Sequence, residues 1–313
     1  MGLPDSHPEA AEAKAAIMQT GTVPAILARQ KMGGYWETKK DFYERTKYRG
    51  TVWQVIILAE LGADGTDGRI KKACEFLLRF SLDQESGGFC YRGTPRDGGL
   101  HDCVLPCLTG NLVWSFLRFG YADDPRVKQG IQWITSHQRV DDGEGPAPKG
   151  WPYDKREPCW GKHTCLMGVV KSLKALAEIP ASQRSAEAAR TIQETAEYLL
   201  RHHIFRRSHA LSQTARKQWL KFGFPTLWDS DALDVLLLLT RLGYQDRRMI
   251  EAAELVLAKQ DKLGRWRLED TFNGRTLVNI ERKGKPSKWV TLNAIRALRA
   301  YFRTGMTFRH DPL

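Results

Sequence analysis

"QKMGGYW", residues 30 to 36, holds the shortest unit that recurs along the chain: a glutamine, then glycine, then an aromatic ring. The same order returns as "QESGGF" from Gln84, loosens to "QRVDDGEG" from Gln138, and returns as "QDKLGRW" from Gln260. Gln30, Gln84 and Gln138 stand 54 residues apart, and Gln260 follows 122 later, twice 61. The missing copy is expected near Arg201, where "RHHIF" has lost the motif. Periods of this size mark stacked supersecondary units rather than unrelated domains.

Each glutamine closes a segment of helical rather than alternating periodicity. These segments are Val23 to Gln30, Arg69 to Leu82, Pro125 to Gln138, Ala186 to His203 and Arg247 to Gln260, and they are expected to be outer helices. Their partners are Thr51 to Leu61, Pro106 to Phe119, His163 to Glu178, Asp231 to Leu242 and Lys288 to Phe302. The partners are poorer in charge and richer in Leu, Val and Ala, as helices buried on most sides must be. Gly or Pro follows several of these apolar helices, in "ELGADG", "RFGYADDP", "AEIPASQ" and "RLGYQD", as stop signals should. Strand signals are almost absent. Five outer–inner hairpins, with a sixth helix at Pro8 to Gln19, predict an all-α fold, a single (α/α)5-6 toroid over residues 1–313 with a basic linker at 201–224 inside it. An open solenoid is the alternative closure.

Length and charge bound the function. The 313 residues suffice for a large core, and 42% hydrophobic against 27% charged residues describes a soluble globular chain. The start, "MGLPDSHPEAAEAKAAIM", has neither the basic region nor the apolar run of a signal peptide, and no window has the length of a membrane span, so a cytoplasmic location is expected. In that setting six cysteines point to metal ligands, catalytic groups or core thiols before disulfides. A net charge of +12 favours anionic partners, concentrated at Arg201 to Lys221 and Arg282 to Lys288. No nucleic-acid-binding motif accompanies these runs, so nucleic acid is not an expected partner; peripheral membrane contact and a diphosphate-bearing substrate both fit the charge.

If outer helices run one way and inner helices the other, every inner helix begins at one end, where positive helix N-termini converge. The residues at those starts form the candidate site. Tyr48 and Arg49 precede the first inner helix, and Asp102 and Cys107 stand at the second. Trp160 lies beside Cys159, His163 and Cys165 at the third; Trp228, Asp229 and Asp231 stand at the fourth, Arg282 and Lys288 at the fifth. "PCWGKHTC" places Cys159, His163 and Cys165 within seven positions, and Pro106 at a first helical position would put Cys107 in the first turn. Cys107, Cys159, His163 and Cys165 would make a Cys3His zinc site, with thiolates favoured by the helix N-termini. A metal-free Cys–His nucleophile pair and inert core thiols are the other readings. Asp229 and Asp231 read as helix caps or, near an apolar cavity, as a general acid with a raised pKa.

Taken together, the glutamine–glycine–aromatic repeats resemble the QW motifs of squalene–hopene cyclases, and the chain is similar to the terpene-cyclase and protein-prenyltransferase superfamily of α/α toroids from "ILARQKMGGYW" to "KWVTLNAIRALRAYF". The resemblance implies an apolar, isoprenoid-like substrate in a central cavity. It implies Asp231 as proton donor, because Asp229-Ser230-Asp231-Ala232 matches the first two acidic positions of the cyclase motif and lacks the last. Cys159 and His163 only loosely resemble the prenyltransferase zinc set, and the two-Cys, one-His spacing of lanthipeptide cyclases is not found. A zinc-stabilised binding scaffold and a glycan-active toroid using Asp102, Asp229 and Asp231 are the two further function classes.

Overall fold

The computed structural model describes residues 7–43, 47–94 and 96–303. They form two compact units. Unit 1 comprises the chain to Thr195 with Leu227–Asp229 and Phe272–Ile280; unit 2 comprises Ala196–Thr226, Ser230–Thr271 and the chain from Glu281. Unit 1 holds α1 (Pro8–Gln19), α2 (Thr22–Leu27), α3 (Thr51–Glu60), α4 (Gly68–Phe80), β1 (Gly93–Thr94), β2 (Gly98–Gly99), α5 (Pro106–Arg118), α6 (Pro125–His137), the single turn α7 (Glu157–Trp160) and α8 (Leu166–Glu178). The unit boundary falls inside α9 (Ala186–Arg201). Unit 2 holds β3 (Arg206–Arg207), β4 (Ala210–Thr214), α10 (Ala232–Arg241), α11 (Ile250–Ala258), β5 (Trp266–Arg267), β6 (Pro286–Ser287) and α12 (Lys288–Phe302). The fold is all-α, with short antiparallel ribbons β1–β2, β3–β4 and β5–β6.

The expected division of labour between helices is present. Residues Thr51 to Ala59 of α3 and Met167 to Leu176 of α8 are buried without a break, as are Leu108 to Phe116 of α5. By contrast α4 buries one stripe, Ile70, Ala73, Cys74, Phe76, Leu77, Leu78 and Phe80. In unit 1, α5 lies along α8 and against α3, while α4 and α6 back α3 and α5; in unit 2, α10 lies against α12, with α11 touching both. Among the described residues no helix is long and apolar enough to cross a membrane.

The glutamine motif is a turn with a defined mechanism. In the first copy Lys31 N–H donates to Tyr35 O (2.9 Å) and Gly34 takes φ +80°; in the last, Asp261 N–H donates to Arg265 O (2.8 Å) and Gly264 takes φ +73°. The indole N–H of Trp36 then donates to Ile26 O (2.9 Å), and that of Trp266 to Val256 O (2.6 Å), pinning each turn under its own outer helix. The backbone N–H groups of Trp36, Phe89 and Trp266 donate to the hydroxyls of Thr51, Thr109 and Thr291 in the inner helices. Gln30 reaches forward to Arg69 O (2.8 Å) at the start of α4.

Gly34 has two reasons to be glycine: its positive φ, and a Cβ that would stand 2.4 Å from Lys72 O of α4. Because the obstacle is backbone, Gly34→Ala is expected to cost about 3 kcal/mol, read as a lowered urea midpoint.

A second repeat went unread in the sequence. Asp67, Asp124 and Asp246 precede α4, α6 and the 3-10 turn at Arg247–Met249, and each binds the arginine two residues on, Arg69, Arg126 or Arg248. Arg126 also forks onto Glu75 of α4 (2.9 and 3.0 Å) and Arg248 onto Glu197 of α9 (2.7 and 3.0 Å). Asp-x-Arg therefore caps an outer helix and ties it to an earlier one.

Two boundaries differ from expectation. The third inner helix begins at Leu166, not His163, because Asp142 and His163 pair as an isolated antiparallel bridge, which holds the chain extended at His163 and leaves Cys165 as the N-cap. The stretch 201–224, read as a basic linker, carries β3, β4 and a 3-10 turn, with Phe205, Trp219, Phe222 and Phe224 buried.

Candidate functional site

The residues preceding α3, α5 and α8 build one cluster in unit 1. Tyr43 stacks on Trp53 of α3 (centroids 4.7 Å apart), and Tyr48 meets the edge of the same indole at 4.9 Å and Phe272 at 4.4 Å. Trp53 indole N–H donates to Tyr43 O (2.9 Å), and Trp228 indole N–H to the Tyr48 hydroxyl (2.8 Å). Tyr91 lies 6.2 Å from Tyr43. Two guanidinium groups rest on this aromatic surface: Arg275 is 4.7 Å from the Tyr48 ring centroid, and Arg156 is 4.6 Å from that of Tyr91.

The thiols of Cys107, Cys159 and Cys165 join the cluster through their electrostatics. Burial, then the Cys165 and Cys159 sulfurs, push the Cys107 thiol well above the ordinary range, against the charge of Lys171 on α8. Cys159 is pushed up to about 11 by burial and by Cys165, with Arg156 opposing. Tyr43 is raised by burial, and next by Cys107 and Cys159. Burial therefore opposes the thiolates expected at positive helix ends for Cys107 and Cys159. A helix terminus favours an anion by about 0.3–1 kcal/mol when exposed, whereas burial shifts a pKa by up to several units of about 1.4 kcal/mol each.

Polar groups are sparse and one-sided here. Gln54 of α3 donates through Nε2 to Tyr48 O (3.0 Å), and Asn111 of α5 through Nδ2 to Leu227 O (3.1 Å). Their other side-chain atoms, Gln54 Oε1 and Asn111 Oδ1, are buried with no donor among the described residues. Each is a buried acceptor left without a donor.

His163 does not join the thiols. Its ring is exposed, Nδ1 lies 3.1 Å from Asp142 O, and a Cβ on Gly143 would stand 2.4 Å from the imidazole. Among the described residues no group of three or more His, Cys, Asp or Glu is placed to hold a metal ion. The loop carrying Cys159 is clamped by buried Arg139, which donates to Trp160 O (2.6 Å) and Gly161 O (2.9 Å) and pairs with Asp141 (2.6 Å). Nothing in the sequence read for function had singled out Arg139, Tyr43, Tyr91, Arg156 or Arg275; a search for arginine near an aromatic would have raised Arg156 and Arg275 only together with many others.

The remaining expected residues lie elsewhere. Trp160 is core, edge-on to Tyr153 at 5.3 Å. Arg49 is exposed and paired with Glu37 (3.2 Å), and Asp102 is exposed and paired with Lys155 (3.4 Å). Asp229 is half-buried, in unit 1. Arg282 and Lys288 are exposed in unit 2, with Lys288 N–H donating to Glu281 (2.9 Å).

Asp231, in unit 2, is the N-cap of α10: Oδ1 accepts from Asp234 N–H (2.9 Å) and Oδ2 from Gly223 N–H (2.8 Å). Its carboxyl is pushed up to about 7, first by burial and then by the charge of Asp234, with the backbone donors pulling the other way. Asp234 is held by the hydroxyls of Ser230 (2.8 Å) and Thr226 (3.2 Å). Asp231 is thus the expected N-cap of α10, with a carboxyl that burial raises.

No protein-family model and no curated protein matches the chain. Among solved structures it is similar to the type II terpene cyclase MstE from Scytonema, in complex with its substrate geranylgeranyl dihydroxybenzoate, at 12% identity over 93% of this chain and 96% of that one, with a TM-score of 0.33. A likeness of that size carries neither fold nor substrate across.

Proposed function

We propose that the chain is a terpene-cyclase-like enzyme acting on an apolar, isoprenoid-like substrate through positively charged intermediates. The aromatic cluster of unit 1 shelters the charge; Asp231, the proton donor that the cyclase resemblance implies, belongs to unit 2. The observation that carries this reading is the pair of guanidinium groups on the faces of Tyr48 and Tyr91. Ring faces that hold one cation can hold another, with a stabilisation of about 0.5–1 kcal/mol at exposed sites that rises to about 2 kcal/mol where water is excluded. The neutral thiols of Cys107 and Cys159 beside Tyr43 add polarisable surface without anionic charge that would trap a cation. Gln54 Oε1 and Asn111 Oδ1, acceptors without donors, favour a hydroxyl-bearing substrate over a diphosphate. The single closed α/α toroid belongs to the same proposal, supported by the alternation of fully buried and one-faced helices.

No step is routed through zinc, because His163 is bonded to Asp142 O instead of joining the sulfurs. Zinc on Cys107, Cys159, His163 and Cys165 is checked by metal analysis of purified protein, and bound zinc that disappears in Cys107→Ser would support it.

The test is product analysis by gas chromatography and mass spectrometry after incubation with polyprenols and polyprenyl diphosphates. A cyclised product from an alcohol is the expected result; unchanged substrates across the panel overturn the reading. Within that assay Tyr48→Phe, which keeps the ring and removes the bond to Trp228, is expected to keep most of the turnover. Tyr48→Leu is expected to lose about tenfold or more, the rate equivalent of one to two kcal/mol of cation–π stabilisation. Thermal unfolding of both variants separates that loss from misfolding.

A further inference from the structure

The loop between α4 and α5 presents a second arrangement, independent of the isoprenoid reading. Asp83, buried at 3% exposure, holds the imidazole of His101: Oδ2 lies 2.7 Å from His101 Nδ1. The same carboxylate accepts from Glu85 N–H (3.4 Å), Ser86 N–H (3.2 Å) and the Ser86 hydroxyl. It is therefore fixed from several sides and cannot follow the ring. The imidazole in turn lies flat on Trp151, with centroids 4.1 Å apart and planes 13° apart, and Trp151 indole N–H donates to His101 O (3.2 Å). His137 closes the other side of Trp151 edge-on at 5.5 Å. The charged groups nearby are exposed Glu85, 3.7 Å from His101 Nδ1, and the Asp102–Lys155 pair on the next residue.

A carboxylate acceptor on Nδ1 selects the tautomer with its proton there and leaves the Nε2 lone pair bare. Among the described residues nothing bonds Nε2, and the side chain is 33% exposed, so the lone pair is reachable. Here the ring is immobilised on two axes with one nitrogen left to work.

We propose that His101 is a general base, positioned by Asp83 and Trp151, for a ligand carrying a weakly acidic O–H or S–H group. In the step, the ligand's proton transfers to Nε2, the bonding pair stays on its oxygen or sulfur, and Asp83 stabilises the imidazolium. An imidazole is matched to groups that ionise near neutrality, which is why a phenol or thiol is the expected class.

Three measurements test this on the full chain. Nitrogen-15 NMR of His101 should report the Nδ1–H tautomer. Diethyl pyrocarbonate, which transfers its carbethoxy group to a bare imidazole nitrogen with release of ethanol and carbon dioxide, should modify His101 about tenfold faster than exposed His209. Asp83→Asn should remove that excess. As a ligand probe, 4-nitrophenol at pH 6 should show more phenolate absorbance with the wild type than with His101→Gln. An Nε2–H tautomer, a His101 rate no greater than that of His209, or equal nitrophenolate signals would each overturn the proposal; the first two need only the wild-type chain if Asp83→Asn does not fold.

Discussion

Gly110→Val is expected to abolish stable folding of the chain, and Gly110→Ala to lower its stability by about 3 kcal/mol. A Cβ at Gly110 of α5 would stand 2.4 Å from the carbonyl carbon of Lys171, 2.5 Å from its oxygen and 2.7 Å from Ser172 N, all backbone of α8. A side-chain tip can swing aside, but a helix backbone cannot. The two helices must separate, and both are buried along their length, so a gap at one point strips contacts from Leu108 to Phe116 and from Met167 to Leu176 together. Valine adds two methyl groups to the same collision. Gly68, the first residue of α4, is the control: no atom lies within 4 Å of its Cβ position, and alanine there should change stability by no more than about 0.5–1 kcal/mol, in the favourable direction. Urea midpoints of the three variants check the ordering, and equal midpoints for Gly110→Ala and the wild type would show that α5 and α8 do not approach this closely.

The second large effect concerns Asp231. In the assay above, Asp231→Asn is expected to lower turnover by about 10²–10⁴-fold, because an amide cannot deliver the proton. Wild-type turnover should fall as pH rises through about 7, where the carboxyl loses it. The stability signature is separate and has a definite sign. The folded carboxyl sits above the ordinary aspartate value of 3.8, so between about 4 and 7 the folded state holds a proton that the unfolded state has released. This group's contribution is therefore fully present below pH 4 and is lost as pH rises towards 7, by at most a few kcal/mol. Other carboxylates act oppositely: Asp67, Asp124 and Asp246 are held below the usual range by their arginines, and the stability they provide fades in acid. The difference between wild type and Asp231→Asn isolates the one group. At pH 4 the wild type should lead, because asparagine turns an NH2 against either Gly223 N–H or Asp234 N–H, a mismatch of about 1–3 kcal/mol. At pH 8 that lead should shrink or reverse. Denaturant unfolding at both pH values measures it, and a constant difference would mean that Asp231 is charged throughout.

Much of this was legible in the chain because helices declare themselves locally. The 3.6-residue periodicity, Pro at first helical positions and Gly or Pro beyond helix ends located α1 and α12 to the residue and most of the others to within a few. Asp67, Asp124 and Asp246 with their arginines were equally local, and went unread only because a repeat was sought in the glutamine motif alone. The failures have a different origin. His163 was grouped with Cys159 and Cys165 by proximity in sequence, but its ring is bonded to Asp142 O, a partner 21 residues away that no pattern announces. The helix-dipole argument for thiolates takes no account of desolvation, which raises the Cys107 thiol.

What the sequence determined by itself is therefore the set of helices and their buried faces, since each depends on the order of side chains within a few turns. Only the tertiary structure decided which functional groups meet: Tyr43 and Tyr48 around Trp53, Trp228 on the Tyr48 hydroxyl, the sulfurs without the imidazole, and His101 against Asp83. The physical reason is that charge state and hydrogen-bond partner depend on solvent exclusion and on contacts between residues distant in the chain, and neither quantity exists until the helices have packed.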